Sequence, residues 1–297
     1  MLCMQLEYRV LDVFTDTPLA GNPLGLFPAS GELTGEQMHA IARELNLSET
    51  VFIGEQLSPN AWRARIFTPG MEVPFAGHPS IGCSWHLFHG PAAGQSQLEL
   101  HLKGGVVRAT LDTSLKPGLV GIEPPPVTLG KILEDRELVA RLYSITTDDI
   151  AGIGPAQVMS VGLRYLQVPL CSREALERCA PNVELLHEMD SAHDFNQLAC
   201  FSLEAYTADA TAAVRMFAPF HGVYEDPATG SNAACLAAYL RAHGIVDDTG
   251  SCWVALDQGY SIQRPSKLFI RANRTALGTD IAVGGQCVEV IRGVLGI

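Results

Sequence analysis

The feature that most narrows what this chain can fold into is a pattern written twice. Arg65-Ile66-Phe67-Thr68-Pro69 leads into the loop Ala76-Gly77-His78-Pro79-Ser80-Ile81-Gly82. Arg215-Met216-Phe217-Ala218-Pro219 leads into Glu225-Asp226-Pro227-Ala228-Thr229-Gly230-Ser231-Asn232. The arginines are 150 positions apart (215 − 65), and Cys83 and Cys235 in the segments that follow are 152 apart (235 − 83). The second copy therefore carries two extra residues in its loop. A strand, a Gly-rich turn and an apolar helix in each half predict two similar lobes facing a shared cleft. The segments Ile81–Phe88 and Ala233–Leu240 have no charged face, and a helix that is apolar all round is buried. Each lobe is thus expected to be sheet wrapped around one central helix.

Composition supports this and excludes several functions. The 297 residues are 47% hydrophobic and 18% charged, enough for two sizeable cores. With 20 Lys and Arg against 32 Asp and Glu, the net charge is −12. No basic run is present, which argues against nucleic acid and anionic membranes as partners. No stretch approaches the roughly 20 apolar residues of a membrane helix, and the N-terminal residues do not read as a signal peptide. Eight scattered cysteines form no C-x-x-C pair, so zinc and dithiol chemistry are not expected and a reducing, cytoplasmic setting is. Thr34 and Gln37 form a capping box for a helix ending near Leu45. Glu49–Ile53, Trp62–Phe67, Val161–Val168, Ala199–Ser202, Leu268–Arg271 and Cys287–Ile291 read as strands, and Leu133, Leu138, Val139 and Leu142 suggest a helix. The Pro-rich stretch Gly121–Pro126 is the best linker, dividing an N-terminal lobe, 1–125, from a C-terminal lobe, 126–297. The last strands are free to return to the first lobe.

The motifs of serine hydrolases, zinc proteases and P-loop proteins are absent. Gly152-Ile153-Gly154-Pro155 only begins like a dinucleotide fingerprint and fails at its third glycine. Chemistry must then come from side chains alone. Ser80-Ile81-Gly82 and Gly230-Ser231-Asn232 lie where the helices are expected to begin, and their free N–H groups suit a carboxylate. Ordinary helix capping explains the same residues. His78 precedes Pro79, which pushes its backbone toward extended shapes, so it is expected in a loop. It either binds a ligand or holds that loop. Asp226 precedes Pro227 and either shapes a turn or accepts a hydrogen bond from a ligand. Glu49 opens an apolar strand. Buried there, it suits proton transfer; exposed, it is an ordinary strand-edge residue.

The residues Phe14-Thr15, Gly21-Asn22-Pro23, Ser48-Glu49-Thr50-Val51-Phe52, Pro74-Phe75-Ala76-Gly77-His78-Pro79 and Glu225-Asp226-Pro227-Ala228-Thr229-Gly230-Ser231 form a pattern almost the length of the chain. Gln258-Gly259, Arg264-Pro265-Ser266 and Val283-Gly284-Gly285 complete it. This pattern resembles the phenazine-biosynthesis PhzF-like family, whose fold is similar to that of diaminopimelate epimerase. The resemblance implies an α+β protein of two pseudo-symmetric lobes, each a mixed sheet rolled around a central buried helix. It implies a cofactor-free isomerase, a homodimer, acting on a small cyclic amino-carboxylate such as trans-2,3-dihydro-3-hydroxyanthranilate. Glu49 would move the proton, with His78 and Asp226 assisting. Asn22, Gly77, Ser80, Gly230 and Ser231 would line the substrate site. The epimerase relatives carry two catalytic cysteines in these loops, where Gly77 and Thr229 stand here. Ser80 replaces a common Thr, and Asn232 a common Ala. Two other readings remain: a silent small-carboxylate binding protein, and an amino-acid epimerase using Glu49 and Asp226 as two bases.

Overall fold

The computed structural model describes residues 4–189, 194–250, 252–275 and 278–297. The chain divides into two compact units, one reaching Glu123 and including Gly284–Ile297, the other spanning Pro124–Val283. The break falls directly after the strand Leu119–Ile122, within the Pro-rich stretch.

In the first unit, Gln5–Val13 pairs antiparallel with Cys287–Gly296 on one side and with Asn22–Phe27 on the other. Asn22–Phe27 runs parallel to Glu49–Ser58, which turns back along Ala61–Phe67. Ala61–Phe67 is parallel to Gln97–Leu102, and two further antiparallel steps reach Gly105–Asp112 and Leu119–Ile122. The helix Gly77–Phe88 fills the crossover between Ala61–Phe67 and Gln97–Leu102 and is buried at all but Trp85 and His86. Small residues let the sheet close on it: a Cβ at Gly82 would meet Leu24 Cδ2 at 2.4 Å. On the other face, Phe27 stacks on Phe52 and Phe67 meets Phe52 edge-on, in the core beneath the helix Gly35–Leu45. That helix begins with the expected capping box, Thr34 with Gln37, and ends at Asn46 in a left-handed conformation. With both faces covered, strands such as Asn22–Phe27 read as apolar runs rather than alternating ones.

The second unit repeats the pairing order. Thr128–Leu133, Ala156–Ser160 and Arg164–Leu170 are successive antiparallel neighbours. Arg164–Leu170 is parallel to Gln197–Ser202, which is antiparallel to Ala210–Phe217. Ala210–Phe217 is parallel to Val254–Gln258, followed antiparallel by Ser266–Thr275. The helix Gly230–Ala242 occupies the corresponding crossover and is buried from Asn232 to Leu240. It ends at His243 with Gly244 at φ +67°. On the opposite face, a second core gathers Leu142, Tyr143, Leu166, Val168, Leu176 and Leu198.

Some element boundaries move. Leu133 ends a strand, and the helix proper is Arg136–Leu142. The stretch read as one strand over Val161–Val168 is a hairpin, with Ala156–Ser160 turning at Val161–Leu163 into Arg164–Leu170. Both central helices begin at the loop glycine, Gly77 and Gly230, so the first starts earlier than Ser80. His78 is therefore helical, contrary to the expectation of an extended loop. Pro79 is tolerated because the first turn has no intrahelical partner for its missing N–H.

Candidate active site

The repeat sets up comparisons position by position. In the first unit Phe52 sits opposite Arg65, and Glu49 lies three residues before Phe52. In the second, Cys200 sits opposite Arg215, and Gln197 lies three residues before Cys200. Glu49 and Gln197 also hold matching places in the parallel pairings, against Leu24 and Tyr165. A carboxylate in one unit thus corresponds to a buried amide in the other, and an amide takes no proton at neutral pH.

The second helical residue also differs: His78 in one unit, Ser231 in the other. His78 is buried and stands across from Glu49, with Nδ1 3.0 Å from Glu49 Oε2. The Glu49 side chain keeps 22% of its accessibility. Nδ1 is placed to donate to a Glu49 carboxylate, which only accepts, and in the neutral ring with Nδ1–H the other nitrogen, Nε2, presents a lone pair. His78 Nε2 is buried and makes no hydrogen bond within the protein. Leaving such an atom unsatisfied costs about 1–3 kcal/mol, which a ligand hydrogen bond would recover. No side chain caps this helix at Ala76. Ser80 spends both donors inside the first turn, its N–H and its hydroxyl each reaching the Ala76 carbonyl at 3.3 and 2.7 Å. Asn22 is buried at the mouth of its strand, opposite Val13.

In the second unit, Asp226 lies four residues before Gly230 and donates its N–H to the Met216 carbonyl at 3.0 Å. Asp226 Oδ2 accepts the Thr229 hydroxyl at 2.5 Å. Gln258, also buried, joins both: Nε2 donates to the Asp226 carbonyl at 2.9 Å and to Thr229 Oγ1 at 3.1 Å, while Oε1 accepts the Thr229 N–H at 3.3 Å. Gly259 makes the sharp turn after Gln258 possible. Its φ is +80°, and a Cβ there would meet the Pro227 carbonyl at 2.6 Å. Ser231 Oγ hydrogen-bonds Tyr165 Oη at 2.6 Å.

Each loop is anchored from behind by an arginine–glutamate fork that reading the sequence does not reveal. Arg65 Nε and Nη2 donate to Glu72 at 2.8 and 2.9 Å. Arg215 Nε and Nη2 donate to Glu225 at 3.0 and 2.7 Å. Each guanidinium also lies over a phenylalanine two residues on, Phe67 at 5.1 Å and Phe217 at 4.9 Å. The Arg65 hydrogen bond holds the Glu72 carboxyl below the usual carboxylate range. Burial works against the Arg215 charge, yet the fork to Glu225 raises its pKa on balance. The repeated arginines were a usable signal. Their partners, seven residues away in one unit and ten in the other, follow no shared spacing.

Among the described residues, neither central helix presents a reactive thiol. Cys83 and Cys235 lie inside the central helices, where burial pushes the Cys83 thiol up to about 12 and the Cys235 thiol up as well. Ala76 and Thr229 are the N-caps and Gly77 and Gly230 the first helical residues. Among the described residues, no cluster of three His, Cys, Asp or Glu side chains is placed to hold a metal ion. The Gly152–Pro155 segment, dinucleotide-like only in outline, packs on the second central helix, where Tyr239 donates to the Pro155 carbonyl at 2.7 Å. Among the described residues, no helix is long and apolar enough to cross a membrane.

Two like units, each a mixed sheet rolled around a buried helix, define an α+β protein of the diaminopimelate-epimerase type. Comparison with known proteins narrows that class. A family model described as phenazine biosynthesis-like protein, PhzC-PhzF, matches residues 11–293. A trans-2,3-dihydro-3-hydroxyanthranilate isomerase of Pseudomonas chlororaphis is 34% identical over 97% of this chain and 99% of its own. A PhzF-family phenazine biosynthesis protein of Bacillus anthracis superposes with a TM-score of 0.89 at 22% identity, covering 99% of this chain and 100% of its own. A hydroxyproline epimerase of Agrobacterium vitis shares the fold alone, with a TM-score of 0.62 at 11% identity over 99% and 93% of the two chains. The chain belongs to the phenazine biosynthesis-like, PhzC-PhzF, family and is an isomerase.

Proposed function

We propose that this isomerase moves a proton between two carbons of a small cyclic amino-carboxylate, without a cofactor, and that Glu49 carries the proton. The carrying observation is the Glu49–His78 pair, 3.0 Å apart, with the buried second nitrogen of His78 left without a protein partner. In this reading the Glu49 carboxylate takes a proton from one carbon of the substrate. The released electron pair spreads through the conjugated ring toward the substrate's carboxylate. The same carboxylic acid then returns the proton to a second carbon, so atoms and charge balance over the cycle. His78 orients Glu49 through Nδ1–H and accepts a substrate hydroxyl or amine proton at Nε2. Asp226 receives a second substrate donor. Gly77, Gly230 and Ser231, at the starts of their helices, supply N–H groups for the growing negative charge. Asn22 completes the binding set, and Ser80 serves it only by fixing the turn at Ala76.

Gln197 at the place matching Glu49 favours a single proton carrier over two equivalent bases. The name of the Pseudomonas chlororaphis relative makes trans-2,3-dihydro-3-hydroxyanthranilate the first substrate to try. The test is proton NMR of that compound with the purified, EDTA-dialysed protein. Conversion to a ring isomer is the expected result. A substrate whose lines broaden on binding but which never converts would overturn the reading in favour of a binding protein. The homodimer and the cytoplasmic setting belong to the same proposal. Light scattering should then give about twice the 31.9 kDa chain mass, and a mass near 31.9 kDa would remove the dimer.

A further inference from the structure

We infer that Thr229 and Gln258 are positioning residues that hold Asp226 as a hydrogen-bond acceptor of fixed polarity. The inference rests on the role proposed above for Asp226. The polarity follows from the bonds themselves. Gln258 faces one group that only donates, the Thr229 N–H, and one that only accepts, the Asp226 carbonyl. These fix which end of the amide is oxygen and which is nitrogen. Nε2 therefore donates to Thr229 Oγ1, and the single hydroxyl proton of Thr229 is left to point at Asp226 Oδ2. Oδ2 is thereby fixed as an acceptor, and with Asp226 as the carboxylate of the role proposed above, which only accepts, the substrate group facing it is a donor, an amine or a hydroxyl.

The duplicated unit separates this role from mere loop-building. Asp226 stands four residues before Gly230 (230 − 226), as Val73 stands four before Gly77 (77 − 73). Asp226 donates its N–H to Met216, and Val73 pairs with Ile66 at the matching place, one residue after the arginine in each unit. Ala76 is the counterpart of Thr229, both being helix N-caps. Gln258 sits beside Val214, the residue before Arg215. Arg63 pairs with His101, so one step on, Ala64, the residue before Arg65, comes level with Leu102. The polar trio Asp226, Thr229 and Gln258 thus corresponds to Val73, Ala76 and Leu102. The first unit enters the same kind of helix, with an extended N-cap in both, using three apolar residues at these places. The trio is not what the helix start requires; it is what Asp226 requires.

The test imports the residues of the first unit into the second. In the full chain, Thr229→Ala, which removes the hydrogen bond to the Asp226 carboxylate, should lower kcat/KM about 10- to 100-fold, and Gln258→Leu, which removes neutral bonds to the Asp226 carbonyl and Thr229, about 2- to 10-fold. Circular dichroism should stay that of the parent. Thr229→Ser, which keeps the hydroxyl, should return kcat/KM to within about threefold. The decisive reading is coupling. In an Asp226→Asn background Thr229→Ala should cost less than about twofold, because its effect runs through Asp226, whereas a structural effect adds in full. If Thr229→Ala keeps wild-type kcat/KM while Asp226→Asn is impaired, the positioning role is wrong and the role of Asp226 stands. If Asp226→Asn itself is fully active, the role of Asp226 fails and this inference falls with it.

Discussion

The two arginine–glutamate forks form an internal experiment, because one geometry is built at two depths. Glu225→Gln is the perturbation. The Arg215 and Glu225 side chains keep only 9% and 4% of their accessibility, against 36% and 18% for Arg65 and Glu72. The substituted amide would retain one hydrogen bond of the two and none of the charge. Arg215 Nη1 would stay bound to the carbonyls of Leu176, Glu177 and Cys179, which stabilise the cation without neutralising it. One charge-assisted bond is worth about 1.5–3 kcal/mol, and stranding a buried charge about 3–5, so we expect a loss of about 3 kcal/mol. The same change at the shallower fork, Glu72→Gln, should cost at most about 1 kcal/mol. For a unit of this size these losses correspond to Tm decreases of roughly 6–12 °C and at most about 4 °C. Urea unfolding followed by circular dichroism measures both, provided the slope with denaturant is unchanged. Equal losses at the two forks would refute the claim that burial depth sets their strength. Turnover should also fall in Glu225→Gln, since Glu225 adjoins Asp226.

Three further outcomes follow from the geometry. His78→Gln should keep the fold and lower kcat/KM by about 10²- to 10⁴-fold, the usual contribution of a positioned proton-handling group; steady-state kinetics with wild-type activity would remove His78 from the site. Burial, with Arg9 nearby, lowers the His86 pKa from 6.5 to about 4, while Glu289 opposes this and Arg292 and His89 add to it. Its stabilising effect is therefore complete above pH 6.5 and disappears as the pH falls through about 4. After allowance for solvent, His86→Gln should remove about 1–2 kcal/mol of the acid-limb loss, and urea midpoints from pH 7 to 4 that run parallel for both proteins would contradict this. In a Cys3→Ser background, Cys171 and Cys252 should react quickly with a thiol reagent and leave turnover intact, while the buried Cys83, Cys179, Cys200, Cys235 and Cys287 resist. Rapid inactivation by that reagent would restore a thiol mechanism.

Much of the fold was legible where the signal is local. The capping box at Thr34 and Gln37 and the two uncharged helices each rest on a few adjacent residues, and both helical segments lie where those residues are, the first beginning only a few residues early at Gly77. The return of Cys287–Gly296 to pair with Gln5–Val13 could only be left open, since strand pairing across most of the chain depends on tertiary closure. His78 was misplaced because the backbone preference imposed by Pro79 is weaker than the packing that buries this first turn. The meeting of Glu49 with His78, residues 29 positions apart (78 − 49), depends on the parallel strand and the crossover helix arriving together. The Asp226–Thr229–Gln258 relay was invisible for the same reason: Gln258 reaches the helix N-cap Thr229 from a strand 29 residues on, and no spacing announces it. The asymmetry between Glu49 and Gln197, or between Asp226 and Val73, emerges only when strand register supplies the correspondence.

The central claim is that one carboxylate, Glu49, carries the proton. The most direct measurement is proton NMR in D2O of trans-2,3-dihydro-3-hydroxyanthranilate with wild type and with Glu49→Gln. The account predicts conversion by wild type alone, and from the variant a substrate that still binds, by line broadening, but neither isomerises nor exchanges a carbon-bound proton for deuterium. Isomerisation by Glu49→Gln at a rate comparable with wild type would contradict it.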